Sequence, residues 1–503
     1  MKFNKLTGAL VTAGLMMASS YAFAASAPAA PSGKLSGTSV VIKNGYNDDV
    51  AKAVAGAGKL PADKLSLDLK DISDADLEKI VKAFPAVNNF SVDSKTLTSI
   101  APMKNLTVNG NVRINAENVK DLSLLSKYTG AKQVNVKSKA MDNIKWLAPL
   151  TNLTYATITG SMNVKSIEGV PAAPKLATLH LNAMDIADLS PLKVLPALTT
   201  LDLTGSKIAD LSPLADLPKL KDLSLYGATV ADFTPLAKVP ALKKLKVYAS
   251  KGANYDTLGA LTQVEDITTG LTAITSLDWV KNAAKLKKLT VFAEEIKDYS
   301  PVKGSSVEEF MIWSMRAPVD FTQLKDATNL KTLLIHSCVK NQPVTHTELI
   351  GTMTELEKLE FNFWKSCDYE ADGSFAVGLK KLTELTLEGL LNMTNTNNLK
   401  ELSALKKLRI KEVNPGKALD LSFLSGMKEL TSLELTSVTV SNFDAIAACQ
   451  KLQYADISKA EGITSIEGLK SIPGLKNLAV KKGAFTDAQL KGFASAGVKI
   501  TQK

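Results

Sequence analysis

The frame L-x-x-L-x-L returns every 22 residues through the middle of the chain, and this period constrains the fold more than any other feature. It stands at Leu176/Leu179/Leu181, Leu198/Leu201/Leu203, Leu220/Leu223/Leu225 and Leu242/Leu245/Val247. It continues at Val264/Ile267 and Leu286/Leu289/Val291. It then loosens to intervals of 21 to 26, with copies starting near Val307, Leu330, Leu356, Leu382, Leu405, Leu430, Leu452 and Leu475. Degenerate copies run backwards through Leu153, Ala131, Asn109 and Val87 to a first one near Ala62, with Leu65 and Leu67. In the alternation L-x-L the two apolar side chains point one way and their neighbours the other. One such unit has an apolar face that it cannot bury alone, so successive copies must stack and share a core.

A second signature lies between the frames. It reads I-A-D-L-S-P-L at 186–192 and 208–214, V-A-D-F-T-P-L at 230–236 and I-K-D-Y-S-P-V at 296–302. Its proline cannot continue a strand ladder and turns the chain back along the other side of the unit. Frame, period and signature together resemble the 22-residue leucine-rich repeat of bacterial internalins, over roughly residues 62–482. The resemblance implies an α/β fold, a curved leucine-rich repeat solenoid. Its parallel sheet lines the concave face, and short helices or 3-10 turns line the convex face. It departs at one point: internalin-type repeats carry Asn three residues after the last strand Leu, whereas this chain has Met184, Ser206, Ala228 and Ser250 there. Buried backbone groups still need partners, so these turns must find them elsewhere.

The ends read differently. Residues 1–24 have a basic start at Lys2 and Lys5, a short apolar run from Leu6 to Ala18, and small residues at Ala22 and Ala24, the pattern of a secretory signal peptide. Residues 25–36 read as a flexible spacer and 37–61 as an N-terminal cap, with a strand at 38–43 and a helix at 47–57. Repeats fill 62–482, and 483–503 read as a C-terminal cap with a short helix after Thr486 and a last strand at 498–501. Helices are expected on the convex side in the longer repeats, at 345–353 and 444–452. No later apolar run is long enough to span a membrane. The expected address is therefore export, to the periplasm or the extracellular medium, as a monomer.

The chain carries a formal charge of +10, and losing Lys2 and Lys5 with the leader takes away two of these and leaves +8. In each frame starting at residue n, residues n+2, n+4 and n+6 should face the concave surface. Ten basic and ten acidic residues fall at those positions, so the one-signed stripe that nucleic acid requires is missing. Lys407, Arg409 and Lys411 form one local basic patch flanked by acidic strands, which reads as salt-bridged surface.

The aromatic residues sort more sharply. Position n+6 holds Tyr226, Tyr248, Phe292, Trp313 and His336 in the repeats starting at 220, 242, 286, 307 and 330, with Met311 and Leu334 beside them at n+4. Gly270 breaks the run, and Tyr155 stands as an outlier further back. Contiguous exposed apolar and aromatic surface marks an interaction site. These seven residues are the candidate partner-binding site. Trp146 and Trp279 align with the turn proline and read as turn packing. Cys338 and Cys367 fall in turns of adjacent repeats and are a candidate disulfide, while Cys449 reads as a buried core thiol.

Chemistry is hard to place. His180, His336 and His346 are too scattered for one catalytic or metal-binding constellation, and no phosphate loop, G-x-S-x-G, H-E-x-x-H or C-x-x-C stands in the chain. The expectation is no enzyme, no cofactor, no metal and no nucleic-acid partner. The sequence reads as an exported binding protein that engages a macromolecule, a protein before a polysaccharide, through its concave face. The alternative is a periplasmic or envelope scaffold, or a polysaccharide-binding protein.

Overall fold

The structure, a computed structural model, describes residues 30–248, 253–270, 274–293, 296, 298–314, 319–337, 344–363 and 369–503. The chain divides into two compact units, meeting in sequence at Asn118 and Val119.

The first unit opens with an antiparallel hairpin, Ser32–Ser36 against Ser39–Lys43, turning at Gly37 with φ +59°. The spacer expected over 25–36 therefore ends in a strand, Ser32–Ser36. Its residues pair with residues 39–43 through the tight turn at Gly37 and become the edge strand themselves. Gly33 lets the following helix, Asp48–Val54, close on this hairpin: a Cβ at Gly33 would lie 2.7 Å from Val50 Cγ1. Asn47 caps that helix by accepting from the Val50 N–H. Parallel strands follow at Ser66–Lys70, Asn89–Asp93 and Val112–Asn115. The α-helix Asp74–Ala83 buries Leu77, Ile80 and Val81 and starts in a capping box between Ser73 and Asp76.

In the second unit each coil contributes one strand to a parallel sheet, and the 22-residue frame becomes a pairing register. Leu179, Leu201, Leu223, Leu245, Ile267, Leu289, Phe310, Leu333, Leu359, Leu385 and Leu408 face one another across consecutive strands. All are buried, so the frame residues form one continuous apolar stack. On most strands the opposite face carries half-buried or exposed residues, with buried exceptions at Gly270, Thr290, Asp456, Ser458 and Ala479. The last strand is Lys499–Gln502, preceded by the capped helix Asp487–Ser495.

The turn signature has a physical reading residue by residue. Asp188, Asp210, Asp232 and Asp298 each accept, through Oδ1, the backbone N–H two residues on at 2.8 Å. This starts a single 3-10 turn whose early proline has no N–H to leave orphaned. Leu189, Leu211, Phe233 and Tyr299 then drop into the core.

The expected helices at 345–353 and 444–452 are also single 3-10 turns, Thr347–Thr352 and Phe443–Ala448. Their buried pairs, Ile350/Met353 and Ile446/Cys449, sit at i and i+3, the 3-10 spacing. The longer coils spend their extra residues on short added strands instead. Val319–Asp320 pairs with Val344–Thr345, Glu370–Asp372 with Asn392–Thr394, and Leu419–Asp420 with Val440 and Ser441.

Two devices replace the missing asparagines. Ser138 donates to the Val119 carbonyl at 2.5 Å and accepts the N–H groups of Ala140 and Met141. Ser94 does the same in the first unit, to Ile72 and from Thr96 and Leu97. Elsewhere a left-handed residue at the strand end lends its N–H to the next coil. Ala183 donates to Thr204, Gly205 to Tyr226 and Gly227 to Tyr248. Gly205 is required there, because a Cβ would come within 2.9 Å of Ala183 Cα.

Candidate functional site: an unbroken row of rings on the concave face

All seven predicted site residues meet in one patch of the second unit. Register alone places them: Tyr226 lies opposite Tyr248, Phe292 opposite Trp313, Trp313 opposite His336, and Met311 opposite Leu334. Neighbouring strands stand about 4.8 Å apart, within reach of adjacent rings. The six strands of the row span about 24 Å. Every one of the seven side chains is half-buried.

The rings pack on one another. Tyr226 and Tyr248 are stacked with centroids 3.9 Å apart and planes 19° from parallel. Phe292 and Trp313 stack at 5.1 Å and 18°. Trp313 meets His336 edge-on at 5.3 Å. Such contacts stabilise by about 0.5–1.5 kcal/mol each beyond their buried area.

Gly270, read from the sequence as a break, is what keeps the row continuous. Tyr248 and Phe292 reach across it to a centroid distance of 5.2 Å. A Cβ on Gly270 would lie 2.7 Å from both Phe292 Cβ and Tyr248 Cε1. The two rings bury the glycine between them. The signal in the sequence was a residue without a side chain at an aromatic position, legible only once the register was known.

Electrostatics divide the row into a middle and two ends. At the tyrosine end, burial pushes both phenols up from their ordinary range, so the hydroxyls stay protonated as hydrogen-bonding groups. Phe292, Met311, Trp313 and Leu334 make the middle apolar. At the far end His336 Nε2 lies 2.9 Å from Glu360 Oε1. That hydrogen bond holds the Glu360 carboxyl below the usual range despite its burial.

The rows beside the rings are charged and alternate in sign. Asp222, Lys244, Asp266, Lys288 and Glu309 face one another on consecutive strands. Lys288 reaches Glu309 at 3.3 Å. One position earlier, Lys287 and Lys331 both hydrogen-bond Glu308 and bring its carboxyl down to about 2. Beyond the rings the Lys407/Arg409/Lys411 patch is compensated: Lys407 pairs with Glu384, Lys411 with Glu388, and Arg409 with Glu434 at 3.4 Å.

The remaining predicted positions fall as follows. Trp146 and Trp279 are buried at turns. Cys449 is a buried free thiol, pushed up to about 12 by burial, with Sγ 3.4 Å from the Leu424 carbonyl. Cys338 and Cys367 lie outside the described residues. Tyr155 is not isolated: its ring meets that of His180 edge-on at 5.7 Å, and Thr157 Oγ1 lies within hydrogen-bond distance of both side chains. Among the described residues no three His, Cys, Asp or Glu side chains gather as a metal-holding group. No described helix is long and apolar enough to cross a membrane.

Solved structures share this architecture. A TLR13–ssRNA13 complex aligns over 94% of this chain and 85% of that one, with a TM-score of 0.54 and 14% identity. The fold is that of a leucine-rich repeat protein. An internalin (inlF) from Listeria monocytogenes aligns over 63% of this chain and 83% of its own, at 23% identity and a TM-score of 0.42. A Leptospira interrogans leucine-rich repeat protein aligns over 76% and 92%, at 14% identity and 0.46. No family model matches the chain, and no curated protein matches it. In this leucine-rich repeat chain the repeat builds a scaffold, and the side chains on its concave strands distinguish one coil from another.

Proposed function

We propose that this chain is an exported binding protein that engages a macromolecular partner, a protein, through its concave face. The ring row from Tyr226 to His336 is the anchor. One observation carries the reading: five rings on six adjacent strands pack into one row that closes across Gly270, half-exposed, on the face that the repeats leave open. Aromatic side chains supply large contact area at low entropic cost and dominate binding hot spots. The charged rows beside the rings mix both signs on neighbouring strands, which disfavours a nucleic-acid or other polyanionic ligand. Export rests on residues 1–24, whose basic start, apolar run and small residues form a signal pattern.

The test is a pull-down from envelope and host-cell extracts with the wild-type chain and a Phe292→Ala/Trp313→Ala double variant. A partner retained by the first and lost by the second supports the assignment. Equal retention removes it. Fractionation of expressing cells reads the address: the chain in periplasm or medium supports export, and cytoplasmic retention of the uncleaved chain contradicts it.

A further inference from the structure

The strands just before the ring row carry a different chemistry. On Gln133–Lys137, Tyr155–Thr159, Thr178–Asn182 and Thr200–Asp202 the outward side chains are hydroxyls, carboxamides, one imidazole and one phenol. Lys137 and Asp202 are the only charges among them. At the centre lies a hydrogen-bonded relay. The Thr157 hydroxyl donates to the Tyr155 phenol oxygen at 2.9 Å. A hydroxyl has one proton to give, so at its 3.3 Å contact with His180 Nδ1 the Thr157 oxygen accepts. A neutral imidazole that donates from Nδ1 has Nε2 as an acceptor. The relay therefore ends in one donor, the Tyr155 O–H, and one acceptor, His180 Nε2. Among the described residues neither has a further partner.

Asp202 faces His180 from the next strand. Its Oδ1 accepts the Thr204 N–H at 3.0 Å and the Thr204 hydroxyl at 2.6 Å, and the Asn182 amide turns an N–H to the same oxygen at 3.2 Å. Its Oδ2 keeps no partner among the described residues. Thr157, His180 and Asp202 stand in register on consecutive strands, so the open groups lie along about 10 Å. The Tyr155 ring is also open, in a way that the rings of the row are not. Phe292 has Tyr248 on one side and Trp313 on the other. The contact between the Tyr155 hydroxyl and Thr157, two residues on, lays the Tyr155 ring along its own strand. Among the described residues its one ring contact is edge-on, with His180 at 5.7 Å and 73°, so no other ring covers its face.

The geometry points to a saccharide site on these strands, separate from the ring row and independent of it. One uncharged sugar lies with its C–H face on the Tyr155 ring. Hydroxyls of that sugar or the next accept from the Tyr155 O–H and donate to His180 Nε2 and Asp202 Oδ2. A sugar hydroxyl both donates and accepts, as this mixed set of open groups requires. The charges select an uncharged ligand. The register neighbours of Asp202 are His180 and Ser224, so an anion brought to Oδ2 would meet a carboxylate with no lysine or arginine in register beside it. A peptide fits less well, because its side chains would find no outward apolar surface here besides the single ring.

The experiment applies the full chain to arrays of neutral oligosaccharides of hexoses and N-acetylhexosamines, of acidic oligosaccharides carrying carboxylate or sulfate, and of random short peptides. Tyr155→Ala removes the platform. Thr157→Val keeps the shape and removes the relay proton, and Thr157→Ser restores that proton. The Phe292→Ala/Trp313→Ala double variant tests the rings, and a thermal melt confirms that each variant is folded. The expected result is retention of neutral oligosaccharides. Their binding should weaken by about tenfold or more in Tyr155→Ala and in Thr157→Val, and return in Thr157→Ser. Acidic oligosaccharides held as well as neutral ones overturn the inference, as do peptides whose retention depends on Tyr155. Saccharide binding lost only in the double ring variant moves the ligand to the ring row and overturns it too. Retention of no saccharide removes this site and leaves the partner of the ring row, read by pull-down, untouched.

Discussion

Two stretches of the same concave sheet, built on one register, carry opposite chemistry. Strands 222–226 to 332–337 place aromatic residues at the last concave position, except for Gly270, and these pack on one another. Strands 384–388 to 432–436 place Glu388, Lys411 and Thr436 there, with Arg409 and Glu434 beside them, and these pair by charge. The inward residues are equivalent in both, buried Leu, Ile, Val or Phe with Thr269 the exception. A parallel in-register sheet brings like positions of neighbouring coils within contact distance, so each outward row must be compatible with its own neighbours. Rings satisfy this by stacking, and charges satisfy it by alternating sign. The difference lies in what is left over for a partner. Exposed ion pairs are worth little and are already matched, whereas half-exposed rings keep apolar area that a partner can bury.

The largest effect should come from removing rings. Phe292→Ala with Trp313→Ala should weaken binding to a peptide or protein selected on this face at least 100-fold, about 2.7 kcal/mol. Isothermal titration would read it. A loss below threefold in a folded double variant would place the site elsewhere and reduce the two stretches to equivalent surface.

Next is Gly270→Ala, which attacks the continuity of the row without touching a ring. The new Cβ would lie 2.7 Å from Phe292 Cβ, which the backbone holds in place, and 2.7 Å from the Tyr248 ring carbon Cε1, so the Tyr248 ring must move off Phe292. Overpacking of this kind costs about 1–3 kcal/mol. The denaturation midpoint should fall, and the near-ultraviolet circular dichroism of the tyrosines should change as the row splits into a Tyr226/Tyr248 pair and a Phe292/Trp313/His336 set. An unchanged spectrum would mean that the rings do not communicate across the glycine.

This glycine also marks where the sequence stops being readable. The 22-residue frame was legible because burial forces an apolar residue, Leu, Ile, Val or Phe in most coils, at the same two inward positions, and D-x-S-P because its aspartate caps the turn. Tyr226, Tyr248, Phe292, Met311, Trp313, Leu334 and His336 were legible because the frame fixes which positions face outward. Gly270 was not, since its role depends on rings two coils apart in sequence. Nor was the fate of the longer coils: Leu349, Ile350 and Met353 suit an α-helix as well as a 3-10 turn, and only pairing of Val344–Thr345 with Val319–Asp320 decides between them. The absent asparagines were visible. Their replacement by Ser138, one position earlier in the frame, and by N–H groups of Ala183, Gly205 and Gly227 follows from coil-to-coil geometry that spacing does not contain.

At the border between the two stretches, Glu360→Gln should have a smaller effect that depends on pH. The His336 hydrogen bond lowers the folded-state pKa of Glu360. A carboxyl depressed in the folded state contributes stability that is fully present above its unfolded pKa, about 4.3. That contribution is lost as pH falls through the folded value. At pH 7 the variant should be less stable by about 1–2 kcal/mol, the contribution of a hydrogen bond to a charged group in a mostly covered site. The gap should close on titration below pH 4. A gap that persists unchanged at pH 3 would mean that shape, not charge, joins the ring row to Glu360.

The smallest effect is expected in the charged stretch, at Arg409→Ala. Arg409 lies 3.4 Å from Glu434 and 4.0 Å from Glu388, with 44% of its side chain exposed. Glu388 keeps Lys411 as a closer partner, so removing the guanidinium leaves no buried charge uncompensated. Solvent screening holds such pairs to about 0.2–1 kcal/mol. The unfolding midpoint should move by no more than about 0.5 kcal/mol in stability and less still in 1 M salt, where the screening length shrinks to about 3 Å. Peptide binding at the rings should change less than twofold, because Arg409 sits three strands beyond His336. A tenfold loss from Arg409→Ala would mean that the partner spans both stretches, and the charged coils would then belong to the site.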